Sequence, residues 1–136
     1  MQSISTRQLL PLLFTFFLVS TVTPIALGQQ SSDGKWKATY MTDGSDTREA
    51  EIELNGNAGT WMTWPRPNKD KKDACVNRPF PVTVTKIAQG SMTIQMMAST
   101  SVSGCKDRNA TLEPASDGTW SGKLDNGSKI TLQRTK

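Results

Sequence analysis

The amino-acid sequence predicts an all-β domain, an up-and-down antiparallel meander of about eight short strands closed as a small barrel. Three observations carry this expectation. Apolar residues recur with period two, almost nothing beyond residue 28 repeats at helical spacing, and turn dipeptides punctuate the alternating runs. A β-sandwich satisfies the same pattern. The barrel is preferred because closure removes the unpaired strand edges that template aggregation.

Residues 1–28 stand apart from the fold. "MQSISTRQ" carries one positive charge, Arg7, and no acid; "LLPLLFTFFLV" is apolar; "TPIALG" places small residues at Ala26 and Gly28. That is the order of a secretory signal peptide, with cleavage expected after Gly28. The apolar run is shorter than the ~20 residues a bilayer span needs, so no stable membrane span is expected after cleavage. The remaining 108 residues, 29–136, make a single domain of secreted or periplasmic location. Loss of Arg7 lowers the net charge from +4 to +3, too mild for the basic stripe of a nucleic-acid binder.

The elements follow in order. "KWKATYM" (35–41) opens the meander. "EAEIEL" (49–54) alternates glutamates with Ala50, Ile52 and Leu54 and is the clearest half-buried strand. "TWMTW" (60–64) follows. "FPVTVT" (80–85) sets Phe80, Val82 and Val84 on one face, and "MTIQMMA" (92–98) does so with Met92, Ile94, Met96 and Ala98. "RNATLE" (108–113), "TWSGKL" (119–124) and "KITLQ" (129–133) complete the set. Asp43-Gly44, Asn55-Gly56, Gln89-Gly90, Asp117-Gly118 and Asn126-Gly127 join them, since Asn and Gly tolerate the positive φ of tight hairpins.

The two cysteines, Cys75 and Cys105, read as a disulfide in an exported chain. Such a bridge closes a loop of about 30 residues and contributes roughly 3–4 kcal/mol by restricting the unfolded chain. In a strict up-and-down meander both cysteines fall at the same end. The long connections 42–48, 65–79 and 99–107 collect there too, while the opposite end has only short turns. Long loops gathered at one end of a rigid β scaffold are where binding usually lives.

Three tryptophans follow Gly-x: Trp36, Trp61 and Trp120, in "SDGKW", "NAGTW" and "SDGTW". Each opens a strand at the short-loop end and is expected to turn inward as structural core, because a barrel of this size is filled by side chains. The Gly-x-Trp at 34–36, 59–61 and 118–120 is similar to the pattern in calycins, the lipocalin and avidin superfamily. The resemblance covers those tripeptides alone and implies a barrel, with no ligand residue carried over.

Trp64 differs. It ends its strand at the loop end and runs into "PRPNKDKKDAC" (65–75), which carries Arg66, Lys69, Lys71 and Lys72 and whose start is stiffened by two prolines. The disulfide should bring Arg78, Lys106 and Arg108 alongside. Trp and Arg are common interface anchors, so these eight residues form the expected binding surface. A charged loop that only keeps the domain soluble would contain the same residues.

Catalysis has little to work with. Histidine is absent, removing the commonest general base and metal ligand. Glu49, Glu51 and Glu53 alternate on a solvent face. The pairs Asp43/Asp46 and Asp70/Asp73 lack the ligand density of a calcium loop, and no phosphate-binding glycine motif is present. No catalytic residue, metal site or cofactor is expected. "NAT" (109–111) and "NGS" (126–128) fit the glycosylation sequon. The expected function is a non-enzymatic binding module that meets a protein or an acidic polymer outside the cytoplasm, an inhibitor of a secreted enzyme being its sharpest form. The alternatives are a calycin-like carrier of a small apolar ligand inside the barrel, lined by Trp36, Tyr40, Trp61 and Trp120, and a structural cell-envelope protein.

Overall fold

Eight antiparallel strands follow one another round a closed barrel in the computed structural model, which describes residues 31–88 and 90–136. The leader expected over residues 1–28 lies outside them. The strands are β1 (Gly34–Met41), β2 (Thr47–Asn55), β3 (Ala58–Thr63), β4 (Pro79–Ala88), β5 (Ser91–Met96), β6 (Arg108–Pro114), β7 (Trp120–Leu124) and β8 (Lys129–Arg134). Each pairs with its neighbours in sequence. The ring closes where β1 meets β8, with Trp36 opposite Arg134 and Tyr40 opposite Ile130. The barrel is the architecture, and the sandwich is not.

Alternation builds the wall. Inward residues include Trp36, Ala38 and Tyr40 from β1, Ala50, Ile52 and Leu54 from β2, Phe80, Val82 and Val84 from β4, and Met92, Ile94 and Met96 from β5. The outward partners are mostly Lys, Glu, Thr and Gln, with Pro81 between Phe80 and Val82, so the strands present a largely polar face to water. In β4 the register shifts between Val84 and Lys86; a bulge of this kind bends the strand and adds twist.

At the short-loop end the segment before β1 forms a cover. The Trp36 indole N–H donates to the Ser32 carbonyl at 2.8 Å. The Arg134 guanidinium lies 4.2 Å from the centre of the Trp36 ring and donates to the carbonyls of Asp33 and Ser31 at 2.6 and 2.8 Å. Trp36, Trp61 and Trp120 are all fully buried. Their placement is not uniform, however. β3 begins at Ala58, two residues before the predicted start, so Trp61 is mid-strand, shifted by ~7 Å at the rise of an extended chain. Its indole N–H donates to Thr63 Oγ1 at 3.1 Å and its ring meets Tyr40 edge-on at 5.5 Å. Trp61 therefore belongs to the loop-end half of the core.

The three Gly-x-Trp copies also differ in backbone. Gly34 and Gly118 have φ of 118° and 83°, a region L side chains avoid. Gly59 has no such angle. It is needed because a Cβ there would lie 2.0 Å from the Glu53 carbonyl oxygen on the neighbouring strand.

Candidate functional site

The connections 42–46, 64–78, 97–107 and 125–128 share the end opposite the Trp36 cover. The disulfide joins the second of these to the third, with Cys75 and Cys105 Cα atoms 5.6 Å apart. The bridge is formed as expected, and no free cysteine accompanies it.

The 64–78 loop is pinned at its base. The Trp64 N–H donates to the Glu49 carbonyl at 2.8 Å, and the Asn77 N–H to the Thr63 carbonyl at 2.7 Å. Asn68 and Asn77 have φ of 63° and 55°, and asparagine is among the few residues that tolerate this. Between them lies Asp70. Its carboxylate accepts the Arg66 N–H at 2.7 Å and the Arg66 guanidinium at 2.8 and 3.1 Å. The remaining arm of Arg66 reaches Asp46 in the 42–46 loop.

Asp70 has a second arginine partner. Arg48 on β2 points into the barrel mouth, and its Nη1 lies 3.1 Å from Asp70 Oδ2. The hydrogen bond from the Arg66 guanidinium holds the Asp70 carboxyl well below the usual carboxylate range; burial opposes this, while the Arg66 N–H and the charge of Arg48 add to it. Arg66 is correspondingly raised, chiefly by its hydrogen bond to Asp70. The same kind of local bond serves the 97–107 loop, where Asp107 accepts the N–H and hydroxyl of Ser99 at 2.8 and 2.9 Å and its carboxyl is lowered.

The structure divides the eight expected surface residues into two groups. Lys69, Lys71, Lys72, Arg78 and Lys106 are exposed, and none forms an ion pair with another described residue. Arg66, in contrast, has its guanidinium engaged by Asp70 and Asp46 and acts as a strut. Arg108 is half-buried and faces Asp125 at 3.7 Å. Trp64 points outward from the wall, 36% exposed, with the Lys37 ammonium 5.6 Å from its ring centre. Lys37 is in turn held by Glu49 at 2.6 Å. The cation at the Trp64 ring thus comes from β1 and not from the loop that follows it.

Two hollows accompany these residues. A shallow groove of about 540 Å³ runs over the 64–78 loop, with Lys71 and Arg78 among its walls beside Pro67 and Asn68. A smaller cavity of about 250 Å³ enters the barrel mouth under the disulfide, where Arg48, Tyr40 and Thr63 meet Phe80 and Met96. The sequence reading missed Arg48, although a signal for it existed. Arg48 shares the parity of Ala50, Ile52 and Leu54, so extending that strand by one residue turns it inward opposite Tyr40.

No protein-family model matches the chain, and no curated protein sequence matches it. Among solved structures, a redesigned β-barrel is similar in shape, with a TM-score of 0.49 and 18% sequence identity over 76% of this chain and 91% of that one.

Proposed function

We propose that the protein is a non-enzymatic binding module acting outside the cytoplasm, and that its disulfide-braced loop end docks on an acidic partner. The partner is a protein or an acidic polymer, and inhibition of a secreted enzyme is the sharpest form of the proposal. One observation supports it above the others. Five exposed cations without ion-pair partners among the described residues lie on loops that a disulfide and a largely buried Arg–Asp–Arg cluster hold in place. Loops already ordered lose little entropy on binding, and a local excess of positive charge steers an acidic partner to the surface. The disulfide is consistent with an oxidising compartment, and a leader at 1–28 would deliver the chain there.

The carrier reading has less support. Of its four expected lining residues only Tyr40 borders a hollow at the loop end; Trp36, Trp61 and Trp120 are packed in the core and line neither. The two readings part in simple measurements. Affinity capture from the extracellular or envelope fraction of the source organism should return one stoichiometric partner on the wild-type protein and lose it on K69E/K71E/K72E. A partner retained equally by both baits would remove the loop end from consideration. A shift of tryptophan fluorescence on titration with lipids would favour the carrier.

A further inference from the structure

We propose that the cavity in the barrel mouth is a binding site for a small organic acid, a carboxylate on a compact apolar body, with Arg48 as its counter-ion. The site lies apart from Lys69, Lys71 and Lys72, shares Lys106 with the surface described above, and does not depend on the partner proposed there.

The starting point is an incompletely matched charge. Arg48 lies inside the wall at 7% exposure, yet its one ion contact is to Asp70, which Arg66 also uses. Its Nε–H is buried without an acceptor. Two guanidinium groups thus divide one buried carboxylate, and the only further acid of the cluster, Asp46, is half-exposed and spent on Arg66. A buried cation short of acceptors is costly, and the charge of an anion in the adjoining cavity offsets it without reaching the enclosed Nε.

The cavity wall is otherwise built for such a guest. Lys106 and Arg108, the latter also facing Asp125, line it with Arg48, and the one carboxylate in the lining, Asp73, already accepts the Cys75 N–H through one oxygen. Tyr40 and Thr63 share a hydrogen bond of 3.1 Å, and Thr63 also accepts from Trp61. Two hydroxyls joined by one bond spend one proton, so whichever of them donates, the other keeps a proton for a ligand. Phe80, Met96, Ala98 and Val76 supply the apolar part of the lining. An inorganic anion would leave those walls uncovered, and a neutral guest would leave Arg48 unmatched. The 250 Å³ volume exceeds the ~150 Å³ that admits benzene and falls short of the ~300 Å³ at which drug-sized sites begin. An acid the size of benzoate fits this range.

The test is a titration of the oxidised protein with benzoate, benzyl alcohol and inorganic phosphate, followed by nitrogen NMR of the Arg48 Nε–H and the Trp61 indole. Benzoate is expected to saturate, to shift both signals, and to bind about tenfold more tightly than the other two, a difference of about 1.4 kcal/mol. Lys106→Glu, an exposed change that leaves the core alone, should weaken benzoate several-fold. Arg48→Gln should abolish the preference for benzoate over benzyl alcohol. Should Arg48→Gln not fold, the wild-type ligand comparison and Lys106→Glu still decide. Equal binding of benzoate and benzyl alcohol, absence of saturation at millimolar benzoate, or shifts confined to the amides of residues 69–72 would overturn the proposal.

Discussion

Arg48 on the barrel wall and Asp70 in the long loop meet at 3.1 Å, with side chains 8% and 3% exposed. The contact ties the loop to the barrel by charge, 35 residues before the covalent tie from Cys75 to Cys105 is complete. Removing one partner of a buried pair leaves the other unmatched, which costs about 3–5 kcal/mol. Asp70 here has two cations to lose. Asp70→Asn is therefore expected to lower stability by about 3–5 kcal/mol, measured by urea unfolding at neutral pH.

The same carboxylate gives a pH dependence. The folded Asp70 carboxyl lies well below its unfolded value, and those of Asp107 and Asp117 are also lowered, held down chiefly by hydrogen bonds from Arg66, Ser99 and Thr119 respectively. A group depressed in the folded state stabilises above its unfolded pKa, near ~3.9 for Asp, and loses that contribution as pH falls towards the folded value. The melting temperature should be flat from about pH 7 to 5 and fall below about pH 4. Thermal melts of Asp70→Asn should start lower and fall less steeply over the acid range.

The disulfide yields a chemical and a thermodynamic expectation. Unfolded but unreduced protein should show no thiol to a labelling reagent. Cys75→Ser should cost roughly 3–4 kcal/mol, the entropy of freeing a loop of this length. Labelling of both cysteines in the unreduced protein would contradict the bridge.

Two tryptophans separate core from surface. Trp120 is buried between β6 and β8, opposite Pro114 and Leu132, and truncating such a ring costs roughly 3–5 kcal/mol. Trp64 is 36% exposed and its ring meets the Lys37 ammonium, a cation–π pair worth about 0.5–1 kcal/mol at an exposed site. Thermal melts should show Trp120→Ala severely destabilised and Trp64→Ala close to wild type.

Much of this architecture was legible because period-two alternation and turn glycines are local signals. Ile52 and Leu54, Met92 and Ile94, and the Asn55-Gly56 turn announce themselves within a few residues. The common location of Cys75 and Cys105 followed from counting strands up and down. The inside of the loop was not legible. "NKDKKD" reads as solvated charge, and nothing within it marks Asp70 as the one acid that turns inward. That role depends on Arg48, 22 residues earlier, and on the strand beginning two residues sooner than its apolar pattern suggests. Arg66 looked like part of an open basic surface for the same reason. Its neutralisation by Asp70 and Asp46 is a tertiary fact.

The most direct test of the loop end as a docking surface is the association rate of K69E/K71E/K72E with the captured partner, measured across a range of salt beside the variant's melting temperature. Exposed lysines without ion pairs contribute little to stability and much to steering. The variant should melt with the wild type, associate more slowly, and lose most of the wild type's salt dependence. Association as fast and as salt-sensitive as the wild type, at an unchanged melting temperature, would contradict the proposed role of the loop end.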